Sequence, residues 1–257
     1  MEIRLAPEIL FHAGVLPVTN TLLTSWAAMA LLLLLAALTR VSQRTVPGAI
    51  QNIVEIITES VFAFMNEILG DQNWAKKLFP FITTFFLFIL LTNWIGILPG
   101  VGSIGLREIH DGKEVFVPLF RSVHSDLTMT LAIAIISVAL AQVVGFVAGG
   151  RAYLKRFLNF KSPIFFFVGI LEIVSECAKI LSFSFRLFGN IFAGEVLLVV
   201  IGSLLPFLAP LPFYGLELFV GFIQALVFTM LTLVFMKMAL AEAEHYAHPH
   251  HDTSLVS

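Results

Sequence analysis

Charge is scarce in this sequence. Asp, Glu, Lys and Arg make up 12% of its 257 residues, where a soluble domain carries about 25%. Hydrophobic residues make up 58%, more apolar surface than a soluble core absorbs, so the class is a polytopic membrane protein. The net charge of -2 is almost neutral and points to no nucleic-acid partner. A lone cysteine, Cys177, excludes an internal disulfide and reads as a small buried side chain. No phosphate-binding glycine loop occurs, which excludes nucleotide chemistry of that kind from the chain. No internal repeat or low-complexity linker divides it, so residues 1–257 are expected to form one membrane domain. The start, MEIRLAPEIL, has neither the basic region nor the cleavage site of a signal peptide. The N-terminus is therefore expected to be mature.

What is abundant is long apolar runs. A spanning helix needs about 20 largely apolar residues. Three runs fit as ordinary spans, at about 22–38, 79–98 and 127–148. Two later runs, about 163–205 and 213–245, are too long to stand upright. The first would extend ~60 Å as one helix, against a hydrocarbon core of ~30 Å. With Pro206, Pro210 and Pro212 turning the chain between them, the last third predicts a hairpin of two long tilted helices. The fold class is all-α.

Residues 48–69 differ. Ile50, Ile53, Val54, Ile57, Val61, Met65 and Ile68 recur at helical spacing, with Gln51, Asn52, Glu55, Thr58, Glu59 and Asn66 mostly opposite. This is an amphipathic helix lying on the membrane or a partner, the membrane surface being preferred. Orientation follows from the loops. Residues 149–162 hold Arg151, Lys155, Arg156 and Lys161 with no acid, so they are assigned to the cytoplasm. The N-terminus and residues 100–126 then lie outside, and the C-terminus inside.

One helix gathers polar groups. On an ideal helix Glu172, Ser175, Glu176, Lys179, Ser182, Arg186 and Asn190 fall within roughly 80° of one line. Lys179 and Glu176, three residues apart, form an ordinary helical ion pair. Arg186 has no such explanation. Glu195 is about 180° around the helix, and Lys179 carries the same sign. A cation at bilayer depth costs ~3 kcal/mol on insertion scales, and an unpartnered buried cation is costlier still. Its counter-charge must come from another helix or chain. Ser175, Ala178, Ser182, Gly189 and Ala193 flank it, and small residues let a second helix pass close.

The following long helix offers Glu217, Gly221 and Gln224 on one face. Folding the hairpin about Pro206 brings Glu195 and Glu217 to similar depth toward the outside, and Gln224 near the level of Arg186. Paired carboxylates in low dielectric take up protons readily, so Glu195 and Glu217 are candidates for passing protons inward. Glu172, Ser175, Glu176, Lys179 and Ser182 form an inner cluster near the basic loop. Arg186 stands between the two groups. It cannot relay protons by losing its own, but it can repel them and prevent a leak.

These residues resemble a family. SFSFRLFGNIFAGEVLL is similar to the signature of subunit a of the F-type ATP synthase membrane sector, the stator proton channel. LPVTNTLLTSW, LLTNWIGILPG and QALVFTMLTLVFMKMAL resemble its first, second and last spans. The resemblance implies that Arg186 is the essential charge facing a rotor ring, with Asn190 supporting it. It places Glu195, Glu217 and Gln224 on the outer half-channel, Glu217 standing where some members have histidine. It also implies a ring of small hairpin c-type subunits bearing carboxylates, peripheral-stalk b-type subunits, and nucleotide chemistry on the remaining subunits. The chain itself is then non-catalytic, without cofactor or metal, in a bacterial plasma membrane.

Two rival classes have specific signals. A self-contained channel or transporter would also use intramembrane charges, but transporters often carry repeats. A metal-dependent membrane enzyme could use His245, His248, His250 and His251, although a solvated tail explains them better. His12, His110 and His124 read as interfacial or loop residues. Asn20, Asn93 and Asp126 read as capping or interface residues, with Asp126 a further candidate for the outer entrance.

Overall fold

The structure is a computed structural model that describes residues 8–13, 16–41, 48–98, 104–110, 113–154, 156–157, 162–205 and 210–247. The proline turn at Pro206, the loop lysines Lys155 and Lys161, and His248, His250 and His251 lie outside the described residues.

The chain opens with a short antiparallel hairpin, β1 (Ile9–Ala13) and β2 (Leu16–Thr19). Helix α1 (Asn20–Val41) follows, then α2 (Ala49–Leu69) and α3 (Gln72–Ile97). A second antiparallel hairpin, β3 (Gly105–His110) and β4 (Lys113–Pro118), leads to a single 3-10 turn at Val123–Ser125. Helices α4 (Leu127–Leu154), α5 (Pro163–Leu204) and α6 (Pro210–Ala247) complete the described chain. Among the described residues, α1, α3, α4, α5 and α6 are long and apolar enough to cross a membrane.

The architecture agrees with the all-α expectation, and the two hairpins are its additions in the described residues. Both are short, the first leading into α1 and the second lying between α3 and α4, so they are outgrowths on a helical frame. Several helix ends also differ from the apolar runs. Helix α3 starts well before Phe79 because Asp71 caps it, its carboxylate accepting from the Asn73 amide at 2.7 Å. Its first turns are polar, so they are invisible to a search for hydrophobicity. Pro80 sits inside α3, removing one ladder hydrogen bond without ending the helix. Helix α6 begins at Pro210 rather than Phe213, since the first turn of a helix has no intrahelical use for the N–H that proline lacks. Helix α4 breaks at Gly150, whose φ of 55° suits a residue without a Cβ.

Helix α6 is the central element, packed against α3 and α4, while α5 packs against α4 and α6. One apolar cluster joins α2, α3, α4 and α6 through Met65, Ile82, Val144, Leu233 and Met236. A second, around Phe86, Ile89, Ala134, Phe183, Leu187 and Phe228, ties α5 to the rest. Phe183 anchors it, with ring centroids 4.9 Å from Phe228 and 5.3 Å from Phe235. Hydroxyl pairs cross the same interfaces, Ser137 to Thr232 at 2.7 Å and Thr130 to Ser184 at 3.1 Å. Such pairs are the ordinary polar glue of helices in lipid. Helix α2 inserts Met65, fully buried, into the first cluster, so its inner end is docked on α3 and α6. Its outer end keeps Ile53 and Ile56 exposed.

Helix α5 is covered least. Only 17% of its most apolar window is buried, the smallest share among the five spans. Cys177 lies on this uncovered helix and is exposed, against the expectation of a buried side chain. A thiol is apolar enough to face lipid or a neighbour, so nothing forces it into the chain's own core.

Candidate functional site

The polar stripe of α5 is split by the packing. Ser175, Ala178, Ser182, Arg186, Gly189 and Ala193 are all exposed along one side. Phe183, Ser184, Leu187, Ile191 and Gly194 are buried on the other, against α4 and α6. Arg186 therefore points out of the described chain. No ion pair or side-chain hydrogen bond engages its guanidinium among the described residues. Beside it, a Cβ on Gly189 would meet nothing within 4 Å. A cation with an open, small-residue groove around it is the geometry required for close approach of another helix.

At the border of that open face Asn190 reaches back, its amide donating to Gln224 Oε1 at 3.1 Å. This puts Gln224 within one turn of Arg186. The Gln224 amide nitrogen is buried without a hydrogen-bond partner among the described residues.

Toward the end of α5, the two acids proposed to work together are held differently. Glu195 accepts from the Arg121 guanidinium at 3.3 Å, and its second oxygen is buried without a hydrogen-bond partner among the described residues. Arg121 is also fixed at its backbone, donating to the Thr24 hydroxyl at 3.2 Å. Glu195 and Arg186 face opposite ways, and Arg121 resolves that by giving Glu195 a cation of its own. Glu217 is buried, 6% exposed, and its carboxylate fills the space beside Gly194 that a Cβ would occupy.

Behind these acids lies a polar layer. Asn93 donates to the Gly221 carbonyl of α6 at 3.0 Å, and Trp94 donates to the Leu218 carbonyl at 3.1 Å. The Asn93 side-chain oxygen meets His124 Nδ1 at 2.7 Å. An amide oxygen only accepts, so Nδ1 carries the proton and Nε2 is left as an acceptor. His124 is fully buried, Nε2 has no hydrogen-bond partner among the described residues, and burial pushes the imidazole down to about 3. The histidine is therefore neutral; it lies in the connecting turn, in line with the expectation of an interfacial or loop residue, but it is buried there. Asn93 likewise bridges α3 to α6, beyond a capping role. Asp126 does cap, accepting from the Thr128 amide at 2.8 Å, and also takes the Thr21 hydroxyl at 3.1 Å.

At the other end of α5, Glu172, Glu176 and Lys179 leave the open face and gather round Arg156, in the turn after α4. Arg156 pairs with Glu172, with Glu176 at 3.3 Å, and with Glu242 of α6. Lys179 binds Glu176 at 2.8 Å. Burial works against the charge on Arg156, but the Glu172 hydrogen bond and the charges of Glu242 and Glu172 outweigh it and raise its pKa. Ser175 and Ser182 stay on the exposed side, so the expected inner cluster is divided between two faces.

Sequence reasoning missed Arg121, Asn93, His124, Arg156 and Glu242 as members of these groups. A signal existed for Asn93, a polar residue inside an apolar run. Arg156 was visible only as loop charge. Arg121 and Glu242 each meet partners far off in sequence, and no local pattern marks them.

A family model described as ATP synthase A chain matches residues 22–237. This chain belongs to that family. A Pelobacter propionicus protein named ATP synthase subunit a 3 is 34% identical over 242 residues, covering 93% of each chain. ATP synthase subunit a of Desulfotalea psychrophila is 35% identical over 228 residues, 87% of this chain and 84% of the relative. ATP synthase subunit a of Campylobacter jejuni strain RM1221 is 34% identical over 206 residues, 79% and 82% of the two chains. As a member of that family, the chain is a proton-translocating stator subunit without catalytic chemistry of its own. Its five apolar helices agree with a multi-pass bacterial membrane protein.

Proposed function

We propose that this subunit provides two offset half-channels to the carboxylates of a rotor ring, with Arg186 separating them. The observation that carries the reading is the exposed guanidinium of Arg186, without an anion among the described residues and bordered by small residues. A ring of small hairpin c-type subunits supplies the missing carboxylate, and b-type stalk subunits hold the stator. A proton enters from outside past Glu195, Glu217 and Gln224 and neutralises a ring carboxylate. The neutral carboxyl can enter lipid where the ion could not. After the ring turns, the proton leaves to the cytoplasm through the inner half-channel lined by Glu172, Ser175, Glu176, Lys179 and Ser182, by way of Glu172 and Ser182. Arg186 attracts the re-ionised carboxylate, and Asn190 supports the contact with Gln224. Each charge crossing 100 mV releases ~2.3 kcal/mol, so several protons serve each ATP.

In this reading residues 1–257 act as one membrane domain of the bacterial plasma membrane, N-terminus outside and C-terminus in the cytoplasm. Arg186→Ala in the assembled complex is expected to abolish ATP-driven acidification of inverted vesicles while the complex still assembles. Normal acidification in that variant would refute the assignment. Proton flux through the purified chain alone in liposomes would instead favour a self-contained channel.

A further inference from the structure

The turn after α4 is built into the helix bundle. Three glycines make room for it and for α6. A Cβ at Gly145 would run into the Tyr153 ring, one at Gly149 into Ala243, and one at Gly169 into the Phe157 carbonyl. Tyr153 is buried, and its hydroxyl donates to Gln142 at 2.8 Å while accepting from Arg156 at 3.0 Å. The guanidinium lies 5.4 Å from the Phe157 ring centroid and 5.8 Å from that of Tyr153. Its side chain is only 8% exposed. Arg156 is thus wedged among α4, α5 and α6, and it meets three carboxylates.

One carboxylate would suffice to neutralise it. The surplus matters because Glu172 stands on the inner path proposed above, on which this inference rests. Each turnover requires the Glu172 carboxylate to take a proton and then give it to cytoplasmic water. While it is neutral, a guanidinium paired with Glu172 alone would be buried without a counter-charge, which is strongly unfavourable. Glu176 and Glu242 remove that obstacle, since both stay on Arg156 when Glu172 is protonated.

We propose that Arg156 is a positioning residue that orients Glu172, and that Glu176 and Glu242 are standby counter-charges that let Glu172 cycle. The charged groups facing this cluster are Glu172, Glu176 and Lys179 on α5 and Glu242 on α6, with the Tyr153 hydroxyl on the last turn of α4. Lys179 forms an ion pair with Glu176, while its charge reaches Glu242 without a direct pair, so the two standby acids are not equivalent. The proton is conserved through the cycle, arriving from a ring carboxylate and leaving to water, with no bond made or broken except O–H.

The test uses the assembled ATP synthase in inverted vesicles, with ATP-driven acidification measured between pH 6 and pH 8.5. Glu176→Gln with Glu242→Gln leaves Glu172 as the sole anion on Arg156. Protonating Glu172 is then opposed, so pumping is expected to fall by about tenfold or more at alkaline pH and to recover toward pH 6. Adding Arg156→Gln to that pair removes the cation and should restore much of the alkaline rate. A double variant with the wild-type pH profile would overturn the proposal. So would a triple variant as slow as the double at every pH, because the loss would then be structural. Each single substitution should produce a smaller alkaline loss. If the double variant does not assemble, two single variants with wild-type profiles overturn the proposal. Glu172→Gln tests the underlying path separately: normal pumping there sinks the inner-path assignment itself.

Discussion

The Glu217 carboxylate occupies the space beside Gly194 where any other residue would carry a Cβ. The two residues lie on α5 and α6, so this contact sets how closely the long helices approach at the level of the acids. Gly194→Ala should displace Glu217 and reduce proton conduction by about tenfold or more, since a small misplacement of a reacting group costs up to ~100-fold. Gly202→Ala, on the same helix with nothing within 4 Å of its Cβ, is the control and should conduct normally. Equal rates in the two variants would show that the contact is immaterial.

Asn190 and Gln224 are joined by one hydrogen bond across α5 and α6. Substituting either by Leu leaves a polar group without its partner, at a cost of about 1–3 kcal/mol if it stays buried. Substituting both should cost less than the sum. Unfolding in detergent micelles gives the double-mutant cycle. A coupling of zero would mean that the bond does not hold the helices.

His124 makes the polar layer behind Glu195 and Glu217 sensitive to acid. Its folded pKa is about 3, below the ~6.5 of an unfolded histidine. Above pH 6.5 both states are neutral, and the stability from its burial is fully present. As pH falls from 6.5 toward 3 the unfolded chain binds the proton and the folded chain does not, so stability declines by up to ~1.4 kcal/mol per pH unit. His124→Gln should flatten that slope. Thermal unfolding at pH 6.5 and 5.5 would show it, and identical slopes in the two proteins would contradict the neutral, buried assignment.

Arg186→Lys should not substitute for the arginine. Lysine carries the charge as a compact, strongly hydrated point and lacks the planar fork that grips a carboxylate. Coupled pumping is expected to drop by about tenfold or more with assembly retained. Wild-type pumping in this variant would mean that charge alone is needed at this position.

Much of this was legible before any coordinates. Hydrophobic run length located the helices because lipid imposes one thickness on every span. The missing partner of Arg186 was legible too, since helical periodicity places Glu195 on the opposite side and no other acid falls within reach. Glu176 and Lys179 pair as their spacing of three predicts. The polar start of α3 was hidden, because its capping aspartate and first turns carry no apolar signal.

The sequence by itself determined that this chain lives in a membrane and sets a lone arginine on a long apolar helix, because hydrophobicity and helical period are local properties. Only the tertiary structure decided that Glu195 answers to Arg121, that His124 is enclosed against Asn93, and that Arg156 draws Glu172, Glu176 and Glu242 together. Those contacts join residues from different elements, and their meeting depends on how the helices cross, which periodicity within a single helix does not encode.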